Sequence, residues 1–172
     1  MRRARWMTVL IVAFAAGMAE SWLDYRGAAG GWRPDILLAL GWTMASVTGV
    51  EGVLALALFG FASDVFVGTR VGSAMLLFTL TGWGQLWWRR RFAVGIFGRI
   101  GMAALAGFVV EWGRPALERG DVSRLVSVSG FGNGLWGAAT MVVLVPVFGW
   151  LFGAGVFRLW SEESPLLGMK RG

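Results

Sequence analysis

Six apolar stretches, separated by short polar or glycine-rich breaks, run the length of this chain. No other feature narrows the possible folds so far. A soluble domain of 172 residues has no use for several runs of this kind, whereas a bundle of helices in a bilayer requires them. Composition supports the same class. The chain is 56% hydrophobic and only 15% charged, which leaves too few charges to cover a soluble surface of ordinary make-up. Its 11 Trp suit the bilayer interface and its 27 Gly permit close helix contacts. The absence of Cys excludes disulfides and thiolate chemistry, and the absence of His removes the commonest general base and metal ligand. The net charge of +6 lies in short clusters between the apolar runs, a pattern that orients spans and does not describe a nucleic-acid surface.

The expected architecture is all-α: a single transmembrane domain over residues 1–172, with six spans at about 6–22, 34–48, 52–67, 71–88, 93–112 and 135–157. Arg2, Arg3 and Arg5 precede the first run. A signal peptide cleaved after Gly17-Met18-Ala19 is the alternative there; because further apolar segments follow, an uncleaved span is expected. Residues 20–33 form a polar loop with Trp22, Tyr25 and Trp32 as interface anchors. Pro34 is a suitable first helical residue, since its missing N–H would be unsatisfied there. The short turn over Val47–Gly52 predicts an antiparallel hairpin of the second and third spans. The fourth span ends in W-W-R-R-R, the clearest topological signal in the chain. Residues 113–134 make the longest connection, and Pro146 should kink the last span. The arginines at 2–5 and 89–91, with Arg158, Lys170 and Arg171, place both termini in the cytoplasm.

The third apolar run carries a carboxylate, Asp64, near its far end. Burying it is costly, so it needs an interface, a polar pocket or a partner. Gly52, Gly60, Asp64 and Gly68 drift slowly around one helix face and make a small-residue stripe for a neighbouring backbone. Arg70 is the nearest candidate partner, within a turn marked by Gly68 and Gly72. Asp64 then either organises that turn or meets a ligand or partner directly. No enzyme signature is present. Without His there is no Ser/His/Asp set, and Asp64 has no second Asp in a matching span, because Asp35 stands at a helix start where the helix dipole favours it. Gly132-Asn133-Gly134 lacks the Lys of a P-loop. Glu111 has helical spacing to Arg114, as expected of an interfacial charge. No catalytic, cofactor-binding or metal-ligating residue is expected. The structural or partner-binding candidates are Pro34, Gly60, Asp64, Gly68, Arg70 and Gly72.

The stretches P-D-I-L-L-A-L and G-F-A-S-D-V-F-V-G-T-R-V-G-S-A-M-L resemble the MreD family of bacterial rod shape-determining membrane proteins. The resemblance rests on Pro34 opening the second span, and on Gly60, Asp64, Gly68 and Gly72 in the third span and its turn; Ala55 stands where the family often has Gly. It implies a non-enzymatic inner-membrane member of the cell-elongation machinery, supporting peptidoglycan synthesis and cell shape. The implied partners are a bitopic MreC-like protein and, indirectly, the MreB filament, RodA and a class B penicillin-binding transpeptidase, with membrane lipid around the bundle and no nucleic acid. It also implies a fold similar to the six-span substrate-binding subunits of energy-coupling-factor transporters. A vitamin-binding subunit of that kind is the competing reading. Such subunits carry an A-x-x-x-A pattern near the cytoplasmic end of the first span, whereas Ala15 and Ala19 lie toward its outer end.

Overall fold

A computed structural model describes residues 2–27, 34–67, 71–92, 96–120 and 128–153. The described residues form six α-helices and no strand: α1 (Arg2–Gly27), α2 (Ile36–Thr48), α3 (Val50–Val67), α4 (Ser73–Arg91), α5 (Ile96–Arg119) and α6 (Val128–Gly153). The all-α expectation therefore holds. Among the described residues, two helices are long and apolar enough to cross a membrane, through Trp6–Leu23 of α1 and Ser129–Leu151 of α6. The apolar part of α2, Ile36–Ser46, is shorter. With 13 residues, α2 rises about 20 Å, well short of a hydrocarbon core of ~30 Å.

The helices run alternately up and down. Glu20, late in α1, bonds the first turn of α2, and Asp64, late in α3, bonds the first turn of α4. Arg114, late in α5, reaches both the start of α2 and the end of α3. Phe108 of α5 meets Phe131, early in α6, edge to face at 5.5 Å between centroids. The chain's polar termini are thereby sorted. The beginning of α2 and the ends of α1, α3 and α5 share one end of the bundle; the end of α4, with Arg89, Arg90 and Arg91, lies at the other.

At the centre stands α2. Residues 37–43 are buried all round, Trp42 among them, the pattern of a helix enclosed by others on every side. Around it pack Val9 and Ala13 of α1, Leu56 and Phe59 of α3, Leu77 and Phe78 of α4, Ala103, Ala106 and Val110 of α5 and Met141 of α6. The outer helices turn their remaining apolar side chains outward: Leu10, Ile11 and Phe14 of α1, Leu54 and Phe61 of α3, Leu80 and Trp83 of α4, Leu105 of α5, Val142 and Val143 of α6.

Glycine sets the closest approaches. A Cβ on Gly107 would overlap the Gly137 carbonyl, and one on Gly137 the Gly107 carbonyl, so α5 and α6 meet backbone to backbone. The small-residue stripe of α3 is not met by a single neighbour. Gly52 abuts the Ala45 backbone of α2, while Gly60 abuts Ala74 and Met75 of α4. Eight residues turn a helix through about 80° beyond whole turns, enough for the stripe to pass from one neighbour to the next.

Several boundaries depart from the expected spans. Residues 20–27, expected as loop, continue α1, and residues 28–33 lie outside the described residues. Gly113 to Arg119, also expected as loop, continue α5 through Pro115. A proline within a helix costs one ladder bond, but here it falls in the last turns, where Arg114 is held by four surrounding side chains. At the other side of that connection α6 begins at Val128, not at Leu135, and continues through Pro146. The expected tail, including Arg158, Lys170 and Arg171, lies outside the described residues.

Candidate functional site

Asp64 is 1% exposed and accepts from the whole first turn of α4. Its Oδ2 accepts from the Gly72 N–H at 2.8 Å and the Met75 N–H at 3.2 Å. Its Oδ1 accepts from the Ala74 N–H at 2.9 Å and the Ser73 hydroxyl at 3.1 Å. The first N–H groups of any helix lack partners within it, and an acidic side chain usually supplies them from the N-cap position. The N-cap of α4 is Gly72, which has no side chain and makes no side-chain cap. Asp64 serves instead, from the preceding helix. Gly72 is there for its backbone: φ is +104°, with nothing within 4 Å of where a Cβ would stand. Gly60, one turn before Asp64, lets α3 approach α4 closely enough for these bonds to close. Gly68 and Arg70 lie outside the described residues.

Beside this clasp lies a second polar cluster that draws on four helices. Arg114 of α5 donates from Nη2 to Ser63 Oγ at 2.9 Å, and the same nitrogen lies 3.5 Å from Asp35 Oδ2. Nη1 faces Glu111 at 3.6 Å and Nε faces Glu118 at 4.0 Å. Asp35 caps α2, accepting from the Leu38 N–H at 2.8 Å through Oδ1. The helix therefore starts at Ile36, and Pro34 stands before the cap and not at the first helical position expected of it. Glu20 of α1 accepts from the Leu37 N–H at 3.3 Å. Glu20 and Asp35 are 5% and 4% exposed, so both carboxylates depend on protein partners. Burial alone would weaken the hold of Arg114 on its proton, but the carboxylates of Asp35, Glu111, Glu20 and Glu118 outweigh it. Its pKa lies above the ordinary arginine value and the group is a fixed cation.

The sequence singles out Asp64, Gly60 and Gly72, and these three come together. The Glu111–Arg114 spacing is visible there as well. Glu20, Ser63 and Glu118 are not, because they stand in segments that read as loop or in an apolar run, and only the fold collects them around Arg114. The signal that could have found them is Arg114 itself, flanked at helical spacing by Glu111 and Glu118; Pro115 obscures it. Among the described residues, no group of three or more His, Asp or Glu is placed to hold a metal ion. No protein-family model matches the chain, and neither a curated protein nor a solved structure is significantly similar to it.

Proposed function

We propose that this chain is a non-enzymatic scaffold of the bacterial cell-elongation machinery, embedded in the inner membrane by six spans with both termini in the cytoplasm. In this reading it binds a bitopic MreC-like protein and, through it, the MreB filament, RodA and a class B transpeptidase. One observation supports the membrane part above all. The large apolar side chains that the core leaves out form a belt on every outer helix, between an end rich in arginine and an end where carboxylates gather. Water would not tolerate such a belt on a monomer; lipid or a partner helix covers it. The assignment to the elongation machinery rests on the resemblance carried by Pro34, Gly60, Asp64, Gly68 and Gly72. The Asp64 clasp supports it by giving that spacing a physical role, in which Gly60 brings α3 to α4, Asp64 caps α4, and Gly72 turns the chain between them.

Two experiments test the proposal. Reporter fusions after Arg91 and after Gly172 should both report the cytoplasm, and a periplasmic signal at either sinks the topology. Purification from membranes should bring down a bitopic MreC-like protein. Stable retention of a vitamin-like solute with no such partner would favour the transporter subunit instead.

A further inference from the structure

At the end of the bundle opposite Asp64, the structure treats arginine quite differently. The ends of α2 and α4 and the beginning of α5 border a small, partly open cleft lined by Ser46, Gln85, Trp88, Arg89, Arg99 and Met102. Arg89 donates to the Ser46 carbonyl in the last turn of α2. Arg99 faces it across the cleft. Partial burial, and then the Arg99 charge, weaken the hold of Arg89 on its proton, so the two guanidiniums repel one another. Where three carboxylates pair with Arg114, no carboxylate among the described residues pairs with Arg89 or Arg99. Arg91 is occupied elsewhere, its guanidinium 4.8 Å from the Trp87 ring centre. Two arginines lining one cleft, with no carboxylate partner among the described residues and a buried amide donor in Gln85 beside them, suit an anion with several acceptor oxygens.

We propose that this cleft binds the phosphate of an anionic glycerophospholipid of the cytoplasmic leaflet. The inference rests on the membrane reading above. Under that reading the cleft opens at headgroup depth, where basic pockets between helices select anionic lipids. A lipid is preferred to a soluble phosphate because α5 leads from Met102 in the cleft to exposed Leu105, its helical neighbour three residues deeper in the bundle, a surface for acyl chains. The two arginines hold the phosphate between them, and Trp88 borders it at the interface.

The test uses the full chain purified in mild detergent and read by native mass spectrometry and thermal unfolding. The probes are phosphatidylglycerol, phosphatidylcholine and inorganic phosphate. Phosphatidylglycerol should be retained and should raise the unfolding midpoint, with much less effect from phosphatidylcholine and none from phosphate. Arg99→Gln leaves the Arg89–Ser46 bond in place and should weaken phosphatidylglycerol binding roughly five- to tenfold; Arg89→Gln with Arg99→Gln should abolish the preference. Arg90→Gln with Arg91→Gln removes the same charge outside the cleft and should keep it. Equal binding by wild type and the Arg89/Arg99 variant overturns the site, as does equal loss in the Arg90/Arg91 control. Stabilisation by inorganic phosphate alone overturns the lipid assignment. Alkaline extraction of membranes separates the two levels of failure: an extractable chain refutes the membrane reading, whereas an integral chain without lipid preference refutes only this inference.

Discussion

Replacing Asp64 by Leu should unfasten α4 from α3. The carboxylate accepts three backbone N–H groups and one hydroxyl, and Leu accepts none. An unsatisfied buried donor costs about 1–3 kcal/mol. The three backbone donors are not equally dry. Ala74 is fully buried, while Gly72 is half-buried and Met75 is 42% exposed, so water or headgroups relieve part of the cost at the latter two. One full penalty and two partial ones, with the lost attraction between carboxylate and helix N-terminus, give about 3–5 kcal/mol. Asp64→Asn retains one oxygen. If it faces Ala74 and Ser73, only the two wetter bonds are lost, for about 1–3 kcal/mol. The assay is thermal unfolding in detergent, with membrane abundance measured in parallel. A midpoint drop on the order of 10 °C is expected for Leu, and roughly half of that for Asn. If Asp64→Leu unfolds within a degree or two of wild type yet no longer captures the proposed MreC-like partner, Asp64 is a contact residue and the capping argument is wrong.

The same geometry sets the outcome at three other positions. Gly72→Ala forces an L-residue to φ +104° and should cost about 1–2 kcal/mol, visible as a lower unfolding midpoint. Arg114→Leu strands Asp35 and its neighbours and should cost about 3–5 kcal/mol, measured by the same unfolding midpoint; Arg114→Lys should recover only part of this, because the three guanidinium nitrogens face different groups. Gly107→Leu should separate α5 from α6 and lower membrane abundance sharply, whereas Gly101→Ala, which has nothing within 4 Å, should be neutral by the same measurement.

Much of this arrangement is legible in the residues because bilayer-like apolar runs and charges at their ends are local signals. The apolar runs at 34–48, 52–67 and 71–88 coincide closely with α2, α3 and α4. Asp64 stands out for a reason that holds in the structure: a charge in an apolar helix must find partners. Arg70, the partner closest in sequence, lies outside the described residues; among those described, the donors to Asp64 are backbone N–H groups and the Ser73 hydroxyl at the start of α4. The Arg114 cluster is hidden. Its members come from α1, α2, α3 and α5, and no periodicity within one helix indicates which residue of another will lie opposite. Helix ends are the other weak point. Glycines and polar residues at 20–27 and 113–119 have the composition of loop, but both segments are helical and carry tertiary bonds, from Glu20 to Leu37 and from Arg114 to Ser63.

The two arginine arrangements and the Glu20–Asp35 pair acquire one purpose when considered from α2. In the membrane reading, a helix of about 20 Å inside an apolar layer of ~30 Å leaves both of its polar ends below the surface, where unsatisfied backbone groups are costly. Acyl chains cannot supply partners for these backbone groups, so the longer helices must. At the N-terminus Glu20 accepts from Leu37 and Asp35 accepts from Leu38; at the C-terminus Arg89 donates to the Ser46 carbonyl. Negative charge meets the positive end of the helix dipole and positive charge the negative end. Arg114 then restrains the carboxylate excess at the first site, while Arg89 and Arg99 leave a positive excess at the second. A lipid phosphate in the cleft would complete the symmetry, with each terminus of the buried helix capped by charge of one sign and that charge balanced by its opposite. By the same logic, the 13-residue length of α2 is tolerated because its neighbours overhang it, and lengthening it by a turn would push Asp35 or Ser46 out of register with the side chains that hold it.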